Sequence, residues 1–169
     1  MNSLLLSVSL LLAQPELRLT GKGVDYHGSA RLCTVESYVD AKFYCATPVE
    51  LADADVAKRV RIVMLRWVPS GAMATAMHDM TRSNFAAPQF KDELARMAAF
   101  IRSAKWVRGT EFVFVHVPGK GLVLESGDRV LRIDSVAFSK AFWHNYFGHN
   151  NCGETLKEAL SANIKKEKS

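Results

Sequence analysis

Cysteine is scarce. Only Cys33, Cys45 and Cys152 occur in 169 residues, and no two of them form a CxxC pair. That argues against a structural zinc site, and the odd count leaves at least one thiol free. A Cys33–Cys45 bridge is compatible with the sequence, and buried free thiols are the default. No GxSxG, HExxH, phosphate-loop or kinase motif is present. The two GKG triplets, residues 21–23 and 119–121, read as turn glycines, because neither leads into a helix as a phosphate loop does. The five histidines, His27, His78, His116, His144 and His149, show no metal-ligand spacing. No cofactor is expected.

Long apolar runs are also missing. The longest, in "MNSLLLSVSLLLAQPE", has the length of a signal-peptide core and is too short to span a bilayer. Ala13 is a small residue at a cleavage-type position, but no Lys or Arg precedes the run. Residues 1–13 therefore read either as a signal peptide or as a first strand, with residues 14–169 as one domain. The first alternative places the protein in the periplasm or outside the cell; the second is compatible with the cytoplasm. No stable membrane insertion is expected. The net charge of +5 is spread along the chain except at the tail "NIKKEKS", so no concentrated nucleic-acid footprint is expected.

What is present is an ordinary globular composition, 49% hydrophobic and 23% charged, in a chain long enough for one core. "ELRLTGKGVDYHG" reads as a strand breaking at Gly21 and Gly23. Residues 30–48 are strand-like, with Leu32, Thr34 and Glu36 on one side and Cys33, Val35 and Ser37 on the other. "KRVRIVMLRWVP" is the clearest strand: Val60, Ile62, Met64 and Arg66 share one face, and Pro69 ends it. Ser70 reads as the N-cap of a helix carrying Met73, Met77 and Met80, with Asn84 one turn on. A second helix spans residues 87–105, with Phe90, Leu94, Met97 and Ile101 as its apolar stripe. A hairpin turning at residues 118–121 follows, then a strand after the turn at residues 126–128. A helix capped by Ser135 and closed by Gly148 at its C′ position leads into a last helix from Gly153. Strands, two helices, strands and two helices make an α+β fold with a mainly antiparallel sheet.

Within that pattern Arg66 draws notice. If its face is inward, an Arg in an apolar strand needs an anionic partner, from the protein or from a ligand; the plainer reading is an Arg paired to Asp or Glu or pointing to solvent at a sheet edge. The methionine stripe suits core packing, and it also suits a pocket for a flexible apolar chain. "FSKAFWHNYFGHN" crowds Phe138, Phe142, Trp143, Tyr146 and Phe147 into ten positions, which poses the choice between a binding wall and a packed helix.

The ordered series "LRLTGKGV", "YVDAKFY", "RIVMLRWVPS", "FVFVHVPGKGLVLESGDRV" and "FSKAFWHNYFG" followed by "LKEAL" resembles the chalcone isomerase-like family, in its bacterial-type, non-catalytic branch. The resemblance implies an open-faced β-sandwich: a large antiparallel sheet, helices on one face, and a ligand cleft between. It implies that Asn145 and Tyr146 face the cleft while Phe142, Trp143 and Phe147 are core. True isomerases hold a phenolate with an Arg after the first-strand Gly-x-Gly, and use a Thr in the next strand and a Tyr in the following helix. Those positions read Asp25, Val39 and Met73 or Met77 here, whereas the helix Asn is matched by Asn84. Cyclisation of chalcones is therefore not expected. The fatty-acid-binding branch holds a carboxylate with an Arg and a Tyr, which points to Arg66, with Tyr38, Tyr44 and Tyr146 as hydroxyl partners. The expected ligand is a small apolar or acyl-type molecule. The alternatives are an unknown enzyme using Asp25 and His27 as acid and base, or an interaction protein with a filled cleft.

Overall fold

Alternation along the extended segments sets the architecture. In the computed structural model, which describes residues 15–165, β1 (Leu17–His27), β2 (Ala30–Asp40), β3 (Lys58–Met64), β4 (Glu111–Val117), β5 (Gly121–Ser126) and β6 (Arg129–Ile133) form one antiparallel sheet in sequential order. Cys33, Val35, Ser37 and Val39 of β2 are buried, as are Val60, Ile62 and Met64 of β3 and Phe112, Phe114 and His116 of β4. This is the period of two that places alternate side chains on one face. Five helices complete the described residues: α1 (Pro48–Asp53), α2 (Ser70–Arg82), α3 (Lys91–Arg102), α4 (Val136–Phe147) and α5 (Glu154–Leu160). Their buried side chains form one hydrophobic cluster with the inner face of the sheet. The fold is α+β, an open-faced β-sandwich with helices on one face.

The aromatic helix is a packed one. Phe138, Phe142, Trp143, Tyr146 and Phe147 are all at most 4% exposed, so α4 is apolar on nearly every side. A helix of that kind belongs in the middle of a helical layer. It contacts α1, α2, α5 and β5. Ser135 caps it, its hydroxyl accepting from the Phe138 amide at 3.1 Å. At the far end of the core Trp106 stacks on Phe112 with centroids 3.6 Å apart, and its indole N–H donates to the Ile101 carbonyl at 2.9 Å.

Several boundaries differ from the sequence reading. β1 does not end at Gly21 and Gly23 but runs through them to His27. The glycines are there because α5 lies against the strand: a Cβ on Gly21 would overlap the Ala159 carbonyl oxygen, and one on Gly23 would press on Leu156. β2 ends at Asp40, whose carboxylate accepts from the Lys42 amide at 2.8 Å and closes a local turn. β3 stops at Met64, two residues before Arg66. α2 begins at Ser70 itself, behind Pro69 and without a side-chain cap. α3 begins later than expected, at Lys91, and α5 is short. Gly148 is not left-handed (φ −83°); it is required because a Cβ there would strike the His144 side chain. The signal-peptide or strand alternative for residues 1–13 lies outside the described residues.

Candidate functional site

Helices α2 and α4 meet around a small polar island. Asn145 of α4 is fully buried and donates to Thr81 Oγ1 at 2.7 Å. Its own Oδ1 accepts from Asn84 Nδ2 at 3.0 Å, and Thr81 donates to the Met77 carbonyl at 2.8 Å. Asn84 also donates to the carbonyl of Asn150 at 3.1 Å. Each member is held by the next, so the island is satisfied within an otherwise apolar layer. Two residues chosen separately from the sequence, Asn84 and Asn145, are thus brought into direct contact.

Tyr146, the residue after Asn145 in α4, is 4% exposed, with its ring 5.9 Å from that of Phe142. Burial above all, then Cys152, Cys33 and Asp25, hold its hydroxyl well above the ordinary tyrosine value. Asp25 pairs with Cys33 across β1 and β2, and Cys33 pairs with Met64 across β2 and β3. Opposed residues share a face, so Asp25 points to the helix side next to the buried Cys33. Burial raises the Asp25 carboxyl above its usual range, against an amide hydrogen bond and His27, which lower it. The Cys33 and Cys152 thiols are pushed up to about 12, first by burial and then by Asp25. They stay protonated at neutral pH and are poor nucleophiles. All three cysteines are free.

The remaining predicted residues lie elsewhere. Arg66 is exposed in a bend beyond β3, because the chain leaves the sheet at Leu65, whose amide donates to the Leu32 carbonyl at 2.8 Å. It does not share the inward face of Val60, Ile62 and Met64. Tyr38 is on the outer face of β2, where it donates to Glu36 at 2.9 Å and lies under Arg59. Tyr44 lies under Arg18, its ring centroid 4.1 Å from the guanidinium carbon. Val39 is buried, but at the opposite end of β2 from Cys33, facing Arg18 and Lys58. Register therefore makes Cys33, not Val39, the neighbour of Asp25. Met77 is 5% exposed and Met73 is half-buried against the core. His27 is exposed at the end of β1.

A second polar group escaped the sequence reading. Lys58, 1% exposed, donates to the carbonyls of Leu51, Ala52 and Ala54 at 2.6 to 2.8 Å and so caps the C-terminal end of α1. Burial, reinforced by Lys140, lowers it to about 7, although Asp53 and Asp55 oppose this. The three carbonyls favour its ammonium form. His116 bridges Ser139 Oγ at 2.7 Å and Asp55 at 2.8 Å. That order of Ser, His and carboxylate matches a hydrolytic triad, but Ser139 is 0% exposed and no substrate reaches it. The bridge ties α4 to the loop after α1, and His144–Asp53 at 2.8 Å ties them again. The signal for both buried residues is the same period of two: Lys58 is in phase with Val60 and Ile62, and His116 with Phe112 and Phe114.

Two surface recesses are formed by other residues. One, of about 170 Å³, is lined by His78, Arg82, Pro88, Gln89, Lys91 and Leu94. The other, of about 400 Å³, lies between the segments around Trp67 and Trp106. Neither contains Asn84, Asn145 or Tyr146. Among the described residues no three His, Cys, Asp or Glu side chains gather as metal ligands, and no helix is long and apolar enough to cross a membrane.

A family model described as chalcone isomerase-like matches residues 6–161. No curated protein sequence matches the chain. Among solved structures, the fold is similar to that of a fatty-acid binding protein from Arabidopsis thaliana, with a TM-score of 0.71, 13% identity and 88% of each chain covered.

Proposed function

Because the chain belongs to the chalcone isomerase-like family, we propose that it is a non-catalytic binder of a small apolar or acyl-type molecule, held between the sheet and helices α2 and α4. The observation that carries this reading is the Asn84–Asn145–Thr81 island between α2 and α4, the two helices that also bury Met77 and Tyr146. It sets a few fixed polar groups into an apolar wall, the usual composition of a small-molecule site. The similar Arabidopsis thaliana protein is a fatty-acid binding protein, which supports the acyl class. Isomerase chemistry has little support, since Asp25 occupies the side of β1 where a phenolate would need a cation. A ligand enters by displacing Met77 and Tyr146, and the unbranched thioether makes the first displacement inexpensive. Arg66, exposed beyond Met64, reaches a ligand carboxylate only from the solvent side.

A second reading is favoured by the packing itself. With Met77 and Tyr146 at most 5% exposed, the layer is filled, as an interaction protein with a closed cleft would have it. One experiment separates the two. Native mass spectrometry of the purified protein, with organic extraction, is expected to find a co-purifying apolar molecule. Medium- and long-chain fatty acids at about a hundred times Kd should then stabilise the protein by about 2.7 kcal/mol. An empty protein that gains no thermal stability from fatty acids or flavonoids overturns the binding reading and leaves the filled interior.

A further inference from the structure

Two loops meet at the end of the sheet where β3 stops. Residues 65–71 and 103–110 are joined there by a backbone hydrogen bond from the Val68 amide to the Trp106 carbonyl at 2.8 Å, and the second segment is tied to the end of β3 by the Gly109 amide on Met64 at 2.8 Å and the Met64 amide on Thr110 at 2.9 Å. They form one rim around the recess of about 400 Å³. Neither segment contains an Asp or Glu, and together they carry Arg66, Lys105 and Arg108, all exposed. Glu111, the next acid along the chain, is engaged by Arg61 at 2.6 Å. On the same rim Trp67 is 64% exposed and Val107 is 42% exposed. Helix α2 starts in the recess at Ser70 and Gly71, with no side-chain cap and no acidic residue in its first turn, so the positive end of its dipole adds to the field.

We infer that this rim is a docking surface for an anionic lipid bilayer. The charge on the rim is of one sign and complements such a surface. The apolar tips, Trp67 above all, exclude a purely ionic partner as the best fit, because an exposed indole gains by entering the headgroup boundary, where its ring is dehydrated and its N–H stays wet. Cations on the same rim remain at phosphate level while the ring inserts. The rim is rigid enough to present these groups together, since Trp106 beneath it is anchored by its stack on Phe112. The inference does not rest on the acyl-binding reading; an empty interior leaves it intact.

The protein carries its own probe. Trp106 and Trp143 are at most 2% exposed, so Trp67 is the tryptophan whose surroundings change on docking. Vesicles of phosphatidylcholine with 30% phosphatidylglycerol (a proportion of about one anionic lipid in three) should shift the emission to the blue and bring it within reach of a bromine-labelled acyl chain. Pure phosphatidylcholine vesicles should give much less, and salt at about 0.5 M should reverse most of the binding. Arg66→Ala, Lys105→Ala and Arg108→Ala should each lower the partition coefficient about fivefold. Trp67→Ala should abolish the fluorescence response and weaken co-sedimentation, with the melting temperature unchanged because the side chain is on the surface. Absence of co-sedimentation with anionic vesicles at low salt overturns the inference. So does vesicle binding that survives the combined loss of Trp67 and the three cations, or binding of an acidic polypeptide by a rim that ignores vesicles.

Discussion

Asp25 is a carboxyl group on the buried side of a strand, opposite a thiol and near a tyrosine, and burial outweighs the opposing pull of an amide hydrogen bond and His27. Its folded-state pKa lies above the unfolded value of about 3.9, so the folded state binds this proton more readily and stability falls as the pH rises through that interval. At pH 7 the carboxylate works against the fold. Asp25→Asn removes the titration and keeps the size. It should therefore melt at a higher temperature than the wild type at pH 7, and the advantage should vanish below about pH 4. Calorimetry at the two pH values checks this; an unchanged or lower melting temperature at pH 7 would show that the carboxylate has a compensating partner. Lys58 shows a partial solution: it too is buried, and its three donors each find a carbonyl at the end of α1, yet burial still lowers its pKa to about 7.

At the scale of elements, the contact of α5 with β1 depends on two missing side chains. Gly21 faces backbone, the Ala159 carbonyl and the start of Leu160, which cannot swing away; Gly23 faces the tip of Leu156, which can. Gly21→Ala should cost roughly 3 kcal/mol by forcing α5 off the strand, and Gly23→Ala roughly 1 kcal/mol. Urea midpoints, with amide exchange across residues 154–160, measure the two effects; equal costs would mean that α5 shifts as a rigid body. The same contact explains why glycines sit inside a strand, where they are otherwise unfavourable.

At the scale of the whole molecule, the end of α1 and the loop after it are held by two histidines, His144 through Asp53 and His116 through Asp55. His116 is buried, and burial followed by Lys58 lowers its pKa below the usual 6.5. A depressed histidine gives stability that is complete above the unfolded value and is lost as the pH falls through the folded one. The part of the urea midpoint owed to His116, read as the difference between wild type and His116→Gln, should thus hold from pH 8 to about 6.5 and decline below it. His116→Gln, which can still bridge Asp55 and Ser139, should be less stable at pH 7 by about 1 kcal/mol and show a shallower decline. An equally steep decline in the variant would place the acid sensitivity elsewhere.

The strands and their inward faces follow from alternation alone, which is why β2, β3 and the β4–β5 hairpin were readable in the chain. The order of elements, taken with short local patterns, was enough for the fold family, and α4 was legible as a helix with a Ser135 cap. Strand ends were not. Whether β3 stops at Met64 or continues to Arg66 is decided by Leu65 turning to Leu32 and by the 103–110 loop pairing with Met64, contacts that no local pattern encodes. That ending decides between the two readings of Arg66 and leaves it at the surface. Tyr38 was lost from the candidate site for a simpler reason, since its phase placed it with Glu36 on the outer face all along. Asn84 and Asn145 were each identifiable, but only the packing of α2 on α4 makes them a pair. The sequence determined which residues alternate and which segments coil, because these depend on near neighbours and backbone geometry. The tertiary structure decided where Asp25, Lys58 and His116 are buried and which charges surround the exposed Trp67, because burial and field are sums over segments far apart in the chain.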